Sequence, residues 1–102
     1  MSNNPFIRLA KETIRSYLTN GVIPQPPKDL AEEFMEKRGV FVSIKKHGQL
    51  RGCIGTVEPT KNNVAEELIH NAVSASTQDP RFPSITLDEL EGLTISVDLL
   101  SP

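Results

Sequence analysis

The stretch GVFVSIKKHGQLRGCIGTV, residues 39–57, constrains the fold more than any other part of the chain. Val40, Val42 and Ile44 alternate with Phe41, Ser43 and Lys45, and such alternation marks a half-buried strand. His47 and Gly48 then supply a tight turn, because glycine adopts positive φ without a steric cost. Beyond the turn, Leu50, Gly52, Ile54 and Thr56 alternate with Arg51, Cys53 and Gly55. The whole reads as a β-hairpin over 40–57. A further strand is predicted over 93–100, where Ile95, Val97 and Leu99 alternate with Thr94, Ser96 and Asp98. A period of two fixes which residues share a face. Val42, Ile44, Leu50, Ile54, Ile95, Val97 and Leu99 are expected to face a core. Phe41, Ser43, Arg51, Cys53, Thr94, Ser96 and Asp98 are expected to share the other, polar face. If the third strand pairs with the second, Asp98 or Ser96 comes within reach of Arg51.

Helical spacing governs the rest. Asn4 and Pro5 form an N-cap and first helical residue. Phe6, Ile7, Ala10, Ile14, Tyr17 and Leu18 then make one apolar stripe, and Asn20-Gly21 stops the helix. The prolines of GVIPQPPKD, residues 21–29, forbid helix and give an extended connector. A short helix with an acidic outer face follows, capped by Asp29, with Leu30 and Phe34 on one side and Gly39 at its end. A second long helix starts at a Thr60 or Asn62 cap. It carries Ala65, Leu68, Ile69, Ala72, Val73 and Ser76 as a stripe of mostly small residues, and ends before Asp79-Pro80. Small residues let a helix lie close to a sheet, and Gly52 on the apolar side of its strand leaves room for one. Glu32-Glu33 and Glu66-Glu67 read as solvated helix faces. Thr86 caps a single turn over 87–90. The order helix, helix, hairpin, helix, strand gives an α+β fold with a mostly antiparallel sheet and flanking helices. At 102 residues the chain is one domain or a part of one.

Composition excludes several function classes. Eleven basic against thirteen acidic residues leave a net charge of −2, which is no footprint for nucleic acid. A single cysteine cannot form an intramolecular disulfide, so a stapled secreted scaffold is ruled out. No apolar run is long enough for a membrane span or a signal peptide, and the expected compartment is the cytoplasm. One cysteine and two distant histidines lack metal-ligand spacing, and neither a metal nor a cofactor is expected.

The chemistry-bearing residues concentrate in LRGCIGT, residues 50–56. Cys53 is the candidate nucleophile, with Arg51 two residues away to lower the thiol pKa or stabilise negative charge. The alternative is a small apolar residue filling a tight spot. A strand-borne arginine can hold a carboxylate or phosphate bidentately, and can equally form a structural ion pair with Asp98 or Asp79. Gly52 and Gly55 would let a ligand or a neighbouring loop approach the main chain. Asp79 and Arg81 form a second cluster in DPRF, residues 79–82. Asp79 is placed for an Asx turn, and Arg81 either pairs with it or makes a further anion contact.

The motifs LRGCIGT and DPRF, with the helix between them and the strand LTISVDLL after them, resemble the AMMECR-type domain family. The resemblance spans nearly the whole chain. It implies an α+β fold around a mostly antiparallel sheet, in a domain that usually continues well past a strand like the one at 93–100. The chain is therefore expected to be incomplete at its C-terminus relative to the family. Prokaryotic members often accompany Memo-type proteins, similar to extradiol dioxygenases, and radical-SAM proteins. The family's activity is not established, so the resemblance implies a domain and leaves the reaction open. Three readings follow for the polar face: a surface that binds an anion or a partner, an enzyme site using Cys53, or an interaction module for a dioxygenase-like or radical-SAM protein. A homodimer that covers the face with a second copy is a further expectation.

Overall fold

The computed structural model describes residues 4–26, 28 and 31–100. Helix α1 runs Pro5–Asn20, and the Asn4 side chain accepts hydrogen bonds from the backbone of Phe6 and Ile7. Gly21 ends it in the left-handed conformation, its N–H on the Tyr17 carbonyl. Helix α2 is short, Glu32–Met35. The cap expected at Asp29 and the contact expected of Leu30 lie outside the described residues. Strands β1, Val40–Lys46, and β2, Gln49–Gly55, form the hairpin. His47 and Gly48 both have positive φ, 52° and 78°, the backbone of a type I′ turn that matches strand twist. Helix α3 is Val64–Thr77, capped by Asn63 and not by Thr60 or Asn62. A 3-10 turn, Leu87–Gly92, opens on a capping box between Thr86 and Glu89 and leads into β3, Leu93–Leu99.

The sheet is antiparallel with order β2-β1-β3, so the third strand pairs with the first and not with the second. Asp98 faces Phe41 across β1 and sits two strands away from Arg51. One face of the sheet carries Val42, Ile44 and Ile95, all buried in a core with α1 and α3. Ile54, Val97 and Leu99 are partly buried against it. Helix α3 is buried on most of its circumference, between the sheet, α1 and α2. No helix among the described residues is long and apolar enough to cross a membrane.

An expectation from strand alternation and one from a helix face fail here. Leu50 is 39% exposed and not part of the core. The reason is a β-bulge: Ile44 faces Gly52, but the next pair is Lys45 with Leu50. Arg51 is the extra residue, and side-chain parity reverses across it. Glu67, read as solvated, is fully buried. Its carboxylate accepts hydrogen bonds from the Thr56 and Thr60 hydroxyls and from the backbone N–H groups of Thr60 and Lys61. It fastens the β2–α3 connection onto the helix. Burial pushes its pKa up, but these four donors outweigh that and leave it below the usual carboxylate value.

Candidate functional site

Because of the bulge, Arg51 and Cys53 do not share a face. Cys53 pairs with Ser43 on the outer face, its Sγ 3.4 Å from the Ser43 hydroxyl oxygen. Arg51 turns to the helix-bearing side. Its Nε and Nη2 each donate at 3.0 Å to the Glu89 carboxylate, and Nη1 donates to the Pro83 carbonyl at 2.7 Å. Nη2 also reaches the Ser84 carbonyl at 3.3 Å. Lys46 adds a second cation, its Nζ 3.0 Å from Glu89. The ion-pair partner of Arg51 is thus Glu89, and neither Asp98 nor Asp79. Glu89 is drawn down to a pKa of about 2, first by Arg51, then by the Thr86 N–H and Lys46, against the opposing effect of burial. Sequence reasoning missed Glu89. The signal was present as the capping box Thr86-x-x-Glu89, which marks a carboxylate held near a helix start.

The two strand glycines serve packing. A Cβ on Gly52 would collide with the Ala75 carbonyl oxygen, so α3 lies directly on the strand there, as the small-residue stripe suggested. A Cβ on Gly55 would overlap the Phe41 ring, which covers that glycine from across the hairpin. The space beside both main-chain positions is filled by the protein itself.

Asp79 and Arg81 meet Cys53 at the free edge of β2. Asp79 is 5% exposed. Its Oδ2 accepts the Cys53 N–H at 3.0 Å, and Oδ1 accepts the Arg81 N–H in an Asx turn. The Arg81 guanidinium binds both carboxylate oxygens, at 3.0 and 2.7 Å, and Nη2 lies 3.4 Å from the Cys53 carbonyl. The Arg81 side chain holds Asp79 far below the usual carboxylate range, and the backbone N–H groups of Arg81 and Cys53 assist against burial. Arg81 is raised in turn, first by Asp79; the Cys53 sulfur is also among its electrostatic neighbours. Arg81 remains 57% exposed, with its guanidinium carbon 5.4 Å from the Phe82 ring centroid. Its Nη1 has no hydrogen-bond partner among the described residues. Arg81, and not Arg51, is therefore the cation that reaches the Cys53 main chain. His47 lies in the hairpin turn and His70 is exposed on α3; neither hydrogen-bonds the thiol. Among the described residues no group of three potential metal ligands is assembled. A cleft of about 200 Å³ lies elsewhere, between residues 23–26 and the Glu66–His70 side of α3.

Comparison with known proteins gives a consistent result. The family model described as AMMECR1 matches residues 7–102. A Clostridium acetobutylicum protein is 50% identical over 99 residues, which cover 95% of this chain and 21% of that protein. A Thermotoga maritima protein is 43% identical across the whole chain, which covers 60% of its length. An uncharacterised protein of Pyrococcus horikoshii has a crystal structure that superposes with a TM-score of 0.89 at 38% identity, over 95% of this chain and 50% of that one. The chain spans a fifth to three fifths of the length of these relatives.

Proposed function

The chain belongs to the AMMECR1 family, and from that premise we propose that it is a binding module that receives an anionic group at the β2 edge, where Arg81 meets Cys53. The ligand class is a carboxylate or phosphate, on a small molecule or on a partner protein. One observation carries the reading. Of the two arginines in the signature motifs, Arg51 is 16% exposed and spent on Glu89 and two carbonyls. Arg81 keeps Nη1 and most of its side chain in solvent while Asp79 fixes its plane. A guanidinium held in this way loses little further entropy on binding an oxyanion. The outer face next to it offers the Ser43 hydroxyl as a further donor, and the exposed Thr94 and Ser96 lie two strands away on β3. A partner of the extradiol-dioxygenase-like or radical-SAM type would dock over this same face.

The reading in which Cys53 is a nucleophile draws on the same Arg81 charge. Among the described residues no base hydrogen-bonds the thiol, and the side chain in contact with Sγ is a serine. The two separate experimentally. Titration with inorganic phosphate or acetate, followed by amide and arginine side-chain NMR, should shift the Arg81 and Cys53 signals in wild type and leave the Cys53 amide still in Arg81→Gln. Equal responses in both proteins would remove the anion reading. Iodoacetamide labelling of native Cys53 faster than a model thiol at neutral pH would favour the nucleophile instead.

A further inference from the structure

The cleft between residues 23–26 and α3 shares no residue with the β2 edge. Its apolar part is Ile23, Pro24, Pro26 and Ile69. Ile69 belongs to the core, whereas Ile23 is 51% exposed, so this wall is left partly uncovered. The prolines fix φ on one side and a helix forms the other, so both walls are stiff before anything binds. Both also lie well within the stretch that matches the family, residues 7–102. Around the apolar floor stand Gln25, Lys61, Glu66 and His70. Glu66 and His70 are one turn apart on α3 and share a side of it, and Lys61 lies just before that helix. Charges of both signs thus line one cleft without meeting. Among the described residues, none of these four side chains makes a hydrogen bond or an ion pair. The contrast is Glu67, one residue along, whose carboxylate is held by four donors. The fold consumes Glu67 and leaves Glu66 and Lys61 unused.

We propose that this cleft binds a free α-amino acid with an aliphatic side chain. The Lys61 ammonium takes the ligand's carboxylate. The Glu66 carboxylate takes its ammonium, with the Gln25 side-chain carbonyl as a second acceptor. The aliphatic side chain lies on Ile23, Pro24 and Ile69. Charge selects the class. A simple anion would meet the Glu66 carboxylate, and a simple amine would meet the Lys61 ammonium, so each carries a repulsive contact that a zwitterion avoids. Size selects within it. The cleft holds about 200 Å³. Pockets for drug-sized ligands start near ~300 Å³, while a cavity of roughly 150 Å³ already holds benzene. One amino acid with a branched aliphatic side chain falls between those limits. The apolar floor gives that side chain a place that glycine would leave empty.

Titration of the protein with L-leucine, followed by amide NMR, tests this. The amides of Lys61, Glu66, Ile69 and His70 should shift and saturate. Leucine amide lacks the carboxylate, 4-methylpentanoate lacks the ammonium and glycine lacks the side chain. Each should bind about tenfold or more weakly. Lys61→Gln and Glu66→Gln each remove one charge from a side chain that holds nothing in the fold. Both variants should keep the wild-type circular dichroism spectrum while their affinity for leucine falls about tenfold or more. No saturable response to leucine overturns the proposal. So does equal binding of leucine, leucine amide and 4-methylpentanoate, which would make the charges bystanders to an apolar hole. So does an affinity for leucine that both variants leave unchanged.

Discussion

Gly52→Ala measures how closely α3 lies on the sheet. The added methyl would overlap the Ala75 carbonyl oxygen, a backbone atom that cannot rotate away. A carbon approaches such an oxygen to about 3.3 Å at best, so the helix or strand must give by about an ångström. Helix α3 has little room to move. The sheet lies beneath it, α1 and α2 flank it, and Glu67 ties its first turns to residues 56–61. Overpacking of this kind costs about 1–3 kcal/mol. Alanine recovers roughly 0.5–1 kcal/mol of backbone entropy relative to glycine. A net loss of about 0–2.5 kcal/mol remains, or a fall in Tm of up to roughly 20 °C for a domain of this size. The assay is thermal and urea unfolding followed by far-UV circular dichroism, with the urea m-value unchanged. Gly92→Ala is the control: its Cβ meets nothing within 4 Å, so it should lose no stability and gain at most about 0.5–1 kcal/mol. If the two variants melt together, the close approach of α3 to β2 does not hold in solution and the account of Gly52 fails.

Glu67→Gln keeps the side-chain shape but replaces charge-assisted hydrogen bonds with neutral ones, a loss of about 1–2 kcal/mol. A urea midpoint within error of wild type would refute the role given to that carboxylate. Acid should weaken the fold through Glu89 and Asp79, whose folded pKa values lie below their ordinary 4.5 and 3.8. A depressed carboxylate stabilises fully above its unfolded pKa, and the contribution fades as pH falls toward the folded value. For Glu89 the window runs from 4.5 down to about 2. Unfolding free energy should therefore be level above that window and decline within it, and Glu89→Gln should flatten the decline. Parallel pH profiles for the two proteins would contradict the Arg51–Glu89 pairing.

The hairpin, the third strand, the long helices and the α+β class were all legible from periodicity, because one-sided burial imposes a period on the sequence. Arg51 shows where that reasoning stops. A bulge inserts a residue without disturbing composition, so LRGCIG alternates on paper while its parity reverses at Arg51 in space. Leu50 accordingly lies outside and Arg51 inside. Glu67 shows a second limit. A carboxylate is buried by donors that converge from residues 56–61, and those donors are invisible until the loop is folded back on the helix. Strand order was likewise hidden, since alternation says which face a residue takes but not which neighbour it meets.

The two signature motifs are halves of one fastening. Residues 79–92 must cross from the end of α3 to the start of β3, and β2 holds that crossing at two points. The Cys53 backbone grips Asp79 near its start, and the Arg51 side chain grips Glu89 near its end. Gly52, between them, admits α3. The bulge makes the arrangement workable, because it sends the guanidinium to the helix side while the next odd-numbered residue stays outside. An ordinary strand would put both on one face and could not reach Glu89. Most of RGC and DPRF is thereby accounted for by architecture alone. Two elements are left over: the Cys53 sulfur beside Ser43, and the Arg81 Nη1, which has no hydrogen-bond partner among the described residues. Neither is needed to hold the crossing, and both lie at the β2 edge. Groups the fold does not consume are where binding chemistry has room to act, so Arg81→Gln should cost ligand response more than it costs stability.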